Sequence, residues 1–493
     1  MFLFMLVVDA VLVGLAEGSA RWFGPEFHHE VVRKERLDRP PPSGTRRVFI
    51  FGESTIYGFP YGPENSTARW LEVVLQAVLP GEKVQVVSFG RPARGSFHLQ
   101  EAVKDTLRLR PDAVILCLGH NEFLPRSLAF VQNPWHTWSY FHVHLYRHAY
   151  DGMARLRQKS LEKHGLTADT RNGFPPWSPL YRDIVAGYRD NLAHMLTRCQ
   201  QAGIPAVVCA PACNFNWPPQ HPGVHRPSVA QDELGQFNGL METARRQLRL
   251  GQPATATLAQ AAALSPDNPE LHYWTGRDGL LRGEAAQAKV EFQKALDHDG
   301  WPFRCQSPLV AAARELALGF QVPFVDLPAE FAQHAGPAGT DMAWFIDACH
   351  PRPAGQLVMA QAMARALQSR QWPSATAAWH WDAAPRLATA VQALRVTTAE
   401  WRAPERTALL ALLADHPQTA LDLAESPPPV GAASDDLEWR MFRVVSLQAC
   451  GRTKDAAHAA ATLAGNGGCA GVVAGWPDPV RELWRAASMT TIH

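Results

Sequence analysis

Val48-Phe49-Ile50-Phe51-Gly52-Glu53-Ser54-Thr55-Ile56-Tyr57-Gly58 is the stretch that decides how this chain is read. Four apolar residues run into a glycine, an acid and a serine. An uninterrupted apolar run of this length is the pattern of a parallel strand buried on both faces. Gly52 lets the chain turn sharply where the strand ends. Such a turn leaves Ser54 at the carboxyl edge of a sheet, where open α/β folds bind their ligands. Alone, the serine is a weak signal, because most serines are solvated or cap helices.

Two further segments repeat the design. Val84-Gln85-Val86-Val87-Ser88-Phe89-Gly90 is a short β-branched run closed by glycine, and Ala113-Val114-Ile115-Leu116-Cys117-Leu118-Gly119-His120-Asn121-Glu122 ends in a polar cluster. Far downstream, Phe345-Ile346-Asp347-Ala348-Cys349-His350-Pro351 sets an acid three residues before a histidine. Each has a plainer reading: Asp347 as the N-cap of a helix with Pro351 in its first turn, and Gly119–Glu122 as a strand-to-helix turn. Acyl transfer needs a hydroxyl, a base to take its proton, an acid to orient that base, and donors for the oxyanion. The chain supplies one of each, in order, at successive strand ends or loops.

On these motifs the chain resembles the SGNH (GDSL-type) hydrolase superfamily, whose marker residues are Ser, Gly, Asn and His. The resemblance implies Ser54 as nucleophile, His350 as general base and Asp347 as the acid that orients it. It also implies an oxyanion hole of the Ser54 and Gly90 backbone N–H groups and the Asn121 side-chain amide. Gly52-Glu53-Ser54-Thr55-Ile56 lacks the second glycine of G-x-S-x-G, which separates it from the α/β-hydrolases. Two departures from the family pattern stand out. Glu53 replaces the usual Asp before the serine, and Ser88-Phe89-Gly90 replaces a more usual Asn-x-Gly. Because the acid is not a marker residue, activity is expected to survive that change.

Ile204–Ala210 and Val322–Leu327 read as a fourth and a fifth strand, with helical patterns at 68–78, 99–108 and 181–202 between strands. Strands alternating with helices indicate a parallel sheet covered on both faces. The expected fold class is therefore α/β, a three-layer flavodoxin-like core with a five-stranded parallel sheet, as the resemblance also implies. Crossovers of one hand gather the strand ends on one edge.

Two insertions interrupt this core. Residues 123–179 are rich in aromatics and histidines, among them Trp135, Trp138, His142, His144 and His148, and suit a cleft lining or lid, or a helix packing ordinary aromatics. His144 and His148 have helical metal-ligand spacing, yet no third ligand lies nearby, and no metal or other cofactor is expected. In the second insertion, at 251–304, Ala254, Leu258, Ala261 and Pro266 recur 34 residues on as Ala288, Phe292, Ala295 and Gly300. That period resembles the tetratricopeptide repeat. About one and a half such units cannot bury a core alone and must stack on a neighbour. The combination resembles a bacterial subgroup of the superfamily.

The expected organisation is an N-terminal anchor or signal segment at 1–20, a linker at 21–45, the core at 46–250 and 305–372, and an Ala-rich helical C-terminal domain at 379–493, divided by Pro427-Pro428-Pro429. Met1 to Ala16 is apolar except for Asp9, short for a spanning helix and without a basic leader. Arg21, Arg33, Lys34 and Arg36 follow it, which by the positive-inside rule favours a cytoplasmic body, whereas the resemblance implies an extracytoplasmic, membrane-anchored or secreted bacterial protein. The Pro-rich 39–44 stretch reads as a stiff tether. A net charge of +1 over 493 residues gives no basic stripe for nucleic acid. Eight cysteines without CxxC or Cys/His spacing read as free and structural.

Three functions follow as expectations. The first is a serine esterase acting on a small ester, an acylated glycan or a lipid-like substrate through an acyl-enzyme on Ser54. The second is an O-acyltransferase passing the same acyl group to an envelope glycan. The third is a non-catalytic scaffold that binds a protein partner through its repeat helices. Arg91 and Arg94 flank Gly90, either to attract an anionic group or as solvated surface charges.

Overall fold

The computed structural model describes residues 41–124, 173–395, 398–427, 436–463 and 468–490, with single residues at 31, 34–37, 39, 135, 146, 149 and 153. The expected anchor at 1–20, most of the linker, His144 and His148, nearly all of the first insertion, and Pro428 and Pro429 lie outside the described residues. Among the described residues, no helix is long and apolar enough to cross a membrane.

Five parallel strands form one sheet: β1 (Thr45–Gly52), β2 (Lys83–Gly90), β3 (Ala113–Cys117), β4 (Ala206–Ala210) and β5 (Phe324–Asp326). Their order is β2-β1-β3-β4-β5, the expected flavodoxin-like arrangement. The chain leaves β1 to one side for β2 and returns to its other side for β3, so the crevice opens above β1. Gly52 is in register with both Gly90 and Cys117, which brings the ends of β1, β2 and β3 level.

Strand alternation explains the two layers. Val48 and Ile50 of β1 and Ile115 of β3 face one cluster, and Phe49, Phe51, Val114 and Leu116 face the other. The first cluster is completed by α2 (Thr67–Val78) with Trp70 and Leu71 and by α11 (Pro353–Ser369) with Met359 and Met363. The second takes Leu99 and Val103 of α3 (Ser96–Thr106), Tyr188 and Leu192 of α4 (Pro179–Gln201), and Leu309 of α9 (Ser307–Gly319). Full burial of each large apolar side chain is worth about 1.5–3 kcal/mol, so two such faces hold the sheet firmly.

Before β1 the chain is held against the core. Leu37 is buried in the second cluster, and the Arg47 guanidinium donates to the Arg39 carbonyl at 3.1 Å.

Between β4 and α9 lie four helices: α5 (Gln231–Arg249), α6 (Thr255–Leu264), α7 (Pro269–Leu281) and α8 (Ala285–Asp297). They share one apolar cluster that includes Phe237 and Met241 of α5, so this helical body begins upstream of residue 251. α7 and α8 run antiparallel at close quarters because Gly276 faces the Phe292 ring and Gly279 faces Ala288. After β5 comes α10 (Leu327–Ala332), and beyond α11 come α12 (Leu387–Leu394), α13 (Thr398–Asp415), α14 (Pro417–Glu425), α15 (Leu437–Ala449), α16 (Thr453–Ala461), α17 (Cys469–Ala474) and α18 (Asp478–Met489), the expected helical C-terminal region. Their core extends to Trp217, Met342 and Ala348, all in loops at the crevice.

Candidate active site

Gly52 ends β1 where no side chain fits: a Cβ there would lie 2.3 Å from the Ile56 side chain and 2.5 Å from the Cys117 carbonyl. Glu53 continues extended, and Ser54 opens α1 (Ser54–Tyr57), a single turn closed by Gly58 at φ 92°. At the first position of a helix the backbone N–H has no partner within that helix. The Ser54 Oγ lies 2.7 Å from His350 Nε2.

His350 comes from a loop that folds back on itself. Phe345 and Pro351 pair, and the Ile346 N–H donates to the His350 carbonyl at 3.0 Å. At the tip, Asp347 Oδ1 accepts the N–H groups of Cys349 (3.0 Å) and His350 (2.9 Å), while Oδ2 lies 2.7 Å from His350 Nδ1. The plainer reading of Asp347 as a helix cap does not hold, because α11 starts only at Pro353, behind Arg352. A carboxylate on Nδ1 fixes the tautomer: Nδ1 carries the proton, and Nε2 is left to accept from the Ser54 hydroxyl.

The electrostatics agree. Burial works against the charged ring, but the Asp347 carboxylate outweighs it and holds the His350 pKa well above its ordinary value. Burial would likewise raise Asp347, yet the His350 ring and the two N–H groups hold it below the usual carboxylate range.

Asn121 reaches the same place by a different route. Gly119, at φ 141° and with Cys305 Sγ only 2.7 Å from where a Cβ would be, turns the chain after β3. Glu53, fully buried, then accepts the N–H groups of His120 (2.8 Å) and Asn121 (3.0 Å). The residue beside the serine thereby braces the Asn121 loop, a role the sequence reading did not assign to it. Next to it, Glu122 accepts the Ser96 N–H (2.8 Å) and hydroxyl (2.7 Å), and Ser96 Oγ accepts from Asn191 (2.9 Å). Burial and mutual repulsion push the Glu53 carboxyl upward, and burial does the same to Glu122. His120 is neutral, its pKa lowered to about 3 by burial and by His350.

Gly90 is not brought to the cleft. Its N–H donates to Ser88 Oγ at 3.2 Å, and it packs so closely on α1 that a Cβ would lie 2.4 Å from the Tyr57 nitrogen. The loop after β2 lines the cleft instead with Pro92 and Ala93, the latter at φ 55°. A positive φ on a non-glycine residue at such a place is a signal that sequence alone does not carry. Arg94 is buried, with its carbonyl accepting from Asn121 Nδ2 at 3.4 Å, so it is no solvated surface charge.

The cleft holds about 370 Å³ and is lined by Ser54, Asn121, Asp347 and His350 together with Phe59, Leu124, Trp217 and Phe303. The Phe59 ring rests on His350 with centroids 4.7 Å apart. Trp217 and Phe303 were not singled out from sequence. They reach the cleft because the fully buried Arg304 donates to the carbonyls of Asn214 (3.0 Å) and Trp217 (3.1 Å). Asp299, at the end of the inserted helical body, accepts the N–H groups of Gln220 and His221.

Among the described residues, one group places three potential metal ligands within 4.8 Å of one another: Asp347, Cys349 and His350. Both nitrogens of His350 are already engaged, and burial keeps the Cys349 thiol protonated. A metal there would have to break the Ser54–His350–Asp347 bonds, so the donor set does not fit one. All eight cysteines are free.

Residues 50–281 match the family described as GDSL-like Lipase/Acylhydrolase. Similar solved structures include a lipase/acylhydrolase from Enterococcus faecalis (13% identity, 66% of this chain and 96% of that one, TM-score 0.30). A mutant of Axe2, an acetyl-xylooligosaccharide esterase from Geobacillus Stearmophilus, overlaps comparably (13% identity, 65% and 94%, TM-score 0.31). So does TesA (10% identity, 66% and 99%, TM-score 0.30). No curated protein matches the chain.

Proposed function

We propose that this chain, matched over residues 50–281 by the GDSL-like lipase/acylhydrolase family, is a carboxylic ester hydrolase that works through an acyl-enzyme on Ser54. The observation that carries the reading is the unbroken line from Asp347 through His350 to Ser54, with both links at 2.7 Å, opening into an apolar cleft.

In this reading His350 Nε2 takes the Ser54 proton as Oγ attacks the ester carbonyl, and Asp347 stabilises the imidazolium that forms. The oxyanion is received by the N–H groups of Ser54 and Ala93 and by Asn121 Nδ2. Each such donor is worth about 10²–10³ in rate. His350 then returns the proton to the leaving alcohol, and a water activated by the same nitrogen hydrolyses the acyl-enzyme. Phe59, Leu124, Trp217 and Phe303 favour an uncharged acyl group of modest length, as in a short fatty-acyl or acetylated-glycan ester.

The test is a panel of short-acyl, long-acyl, glycan and phospholipid esters given to the wild type and to Ser54→Ala. Turnover of short esters by the wild type, its loss in the folded variant, and fluorophosphonate labelling of the wild type alone are expected. A Ser54→Ala protein that keeps wild-type turnover would overturn the assignment.

A further inference from the structure

Besides packing on Trp217 and Ala348, the C-terminal helices reach the candidate active site through a buried carboxylate. On α13, Trp401, Glu405 and Leu409 recur every fourth residue and are all buried, so they share one helix face. Trp401 packs on Tyr61 and Trp70, with centroids 5.3 and 6.0 Å away, and Leu409 enters the C-terminal core. Between them, Glu405 is 0% exposed and fully used as an acceptor. Its Oε1 takes the Tyr61 hydroxyl (2.9 Å) and Arg352 Nε (2.9 Å), and its Oε2 takes Arg352 Nη2 (2.7 Å). Paired bonds of this kind fix orientation as well as distance.

Both partners of Glu405 stand two residues from the groups that hold the catalytic ring. Arg352 follows His350 by two. Its Nη1 donates to the Met342 carbonyl (3.1 Å) and its backbone N–H to the Trp344 carbonyl (2.8 Å), closing the neck of the loop that carries Asp347 and His350 at its tip. Tyr61 likewise stands two residues after Phe59, whose ring lies on the imidazole. Buried ion pairs can often be exchanged for apolar residues without loss of stability, so their directional geometry is what an apolar substitute cannot supply.

We propose that Glu405 is a positioning residue for the reaction: by holding Arg352 and Tyr61 together, the C-terminal helical region sets where the His350 ring lies against Ser54. This rests on the ester-hydrolase reading above. Docking of the region itself does not depend on Glu405, because Trp401 and the apolar core are seated independently.

The experiment uses the full chain with Glu405→Gln, Tyr61→Phe, and the apolar double variant Arg352→Met/Glu405→Leu. The readouts are kcat and KM for p-nitrophenyl acetate across pH, the rate of fluorophosphonate labelling, and thermal melting. Glu405→Gln is expected to lose about 10- to 100-fold in kcat with KM nearly unchanged, the cost of displacing a catalytic group by a fraction of an ångström to an ångström. Tyr61→Phe, which keeps its ring on Trp401, should lose about 3- to 10-fold. The groups facing His350 are Asp347, the Cys349 thiol, Ser54 and neutral His120. Loosening the Asp347 contact therefore moves the acidic limb of kcat/KM to lower pH.

The double variant, which also unpairs the Tyr61 hydroxyl and the Met342 and Pro427 carbonyls and so melts lower, should still be folded at the assay temperature and keep the kcat loss, which separates positioning from stability. Wild-type kcat and an unmoved limb in any folded variant would overturn the proposal. So would a kcat loss matching only the unfolded fraction. A wild type that neither hydrolyses esters nor labels would instead sink the ester-hydrolase reading, and this proposal with it.

Discussion

Asp347→Asn removes one charge and almost no volume, and its effect can be worked from the geometry. Asp347 Oδ2 lies 2.7 Å from His350 Nδ1. Taking the charges as about 4 Å apart in an effective dielectric of about 20, the attraction to an imidazolium is about 4 kcal/mol. The side chain is 31% exposed, so solvent screening trims this to about 2 kcal/mol, or about 30-fold in rate at 1.36 kcal/mol per decade. The amide adds a second penalty. Its oxygen keeps the N–H groups of Cys349 and His350, which turns its NH₂ toward Nδ1 and favours the tautomer with the proton on Nε2. That nitrogen then donates to Ser54 instead of accepting from it. A further factor of about 10² brings the loss in kcat/KM to about 10³–10⁴, the size of the corresponding change in the Ser-His-Asp template.

The assay is kcat/KM for a p-nitrophenyl ester from acid to alkaline pH. In the proposed mechanism His350 must be neutral to act as base, so activity should rise with pH through its free-enzyme pKa. The Asp347 carboxylate shifts that pKa upward, so with Asp347 in place the limb is expected above the ordinary histidine range. Without the carboxylate, burial has less to oppose it and the limb moves to lower pH. A folded Asp347→Asn protein that loses less than ten-fold, or whose limb stays in place, would refute the assignment of Asp347 as the orienting acid.

Asn121→Ala should cost about 10²–10³ in kcat with melting unchanged, checked by steady-state kinetics and thermal denaturation. Glu53→Gln keeps one acceptor for the N–H groups of His120 and Asn121 and sets an NH₂ against the other. It should lower kcat about 10- to 100-fold with little change in KM; equal kcat would show that the Asn121 loop stands without this brace. For the Glu53–Glu122 pair the folded-state pKa values lie above the unfolded ones, so the native state binds more protons as pH climbs out of the carboxylate range. Stability is then greatest in mild acid and falls as pH rises through the folded values, and Glu122→Gln should flatten that fall in thermal melts between about pH 5 and about pH 9. Gly276→Ala would set a Cβ 2.6 Å from the Phe292 ring. The overpacking of about 1–3 kcal/mol exceeds the helix-propensity gain of about 1 kcal/mol, so the melting temperature should fall.

The sheet was legible because its strands announce themselves. Val48–Phe51 and Val114–Leu116 are apolar on both faces, a pattern that only a covered parallel sheet explains. Ser54, Asn121 and His350, which the fold brings to one cleft, stand out in the sequence for a related reason: each follows a strand end or a loop with a distinctive local string. Gly90 misled because a glycine after a strand has two uses. Here it admits α1 against β2, and the cleft-facing turn falls three residues later at Ala93, where nothing in the residue type reports a positive φ. Trp217, Phe303 and Glu405 were illegible for a different reason. Their roles depend on which bodies meet in space, and a buried ion pair such as Arg352–Glu405, 53 residues apart, leaves no local periodicity.

The same fact gives the helical bodies a part in building the proposed site. The Asp347–His350 loop lies outside any helix or strand, and its two middle residues enter different bodies. Ala348 packs into the C-terminal core with Trp217 and Met342, and Cys349 packs into the inserted helical cluster with Cys213 and Phe215. The bodies also touch directly where Arg277 of α7 pairs with Asp422 of α14, on the far side of Asn216. A loop held from both sides keeps its side chains in place without a long buried segment of its own, and preorganisation of that kind is what lets a serine, a histidine and an acid act together. It follows that loosening either body should reach the chemistry through this loop. A chain with Arg277→Ala, which removes the ion pair with Asp422 where the two bodies meet, should therefore lose kcat before it loses the fold; unchanged kcat at a lowered melting temperature would show that the two bodies are merely attached.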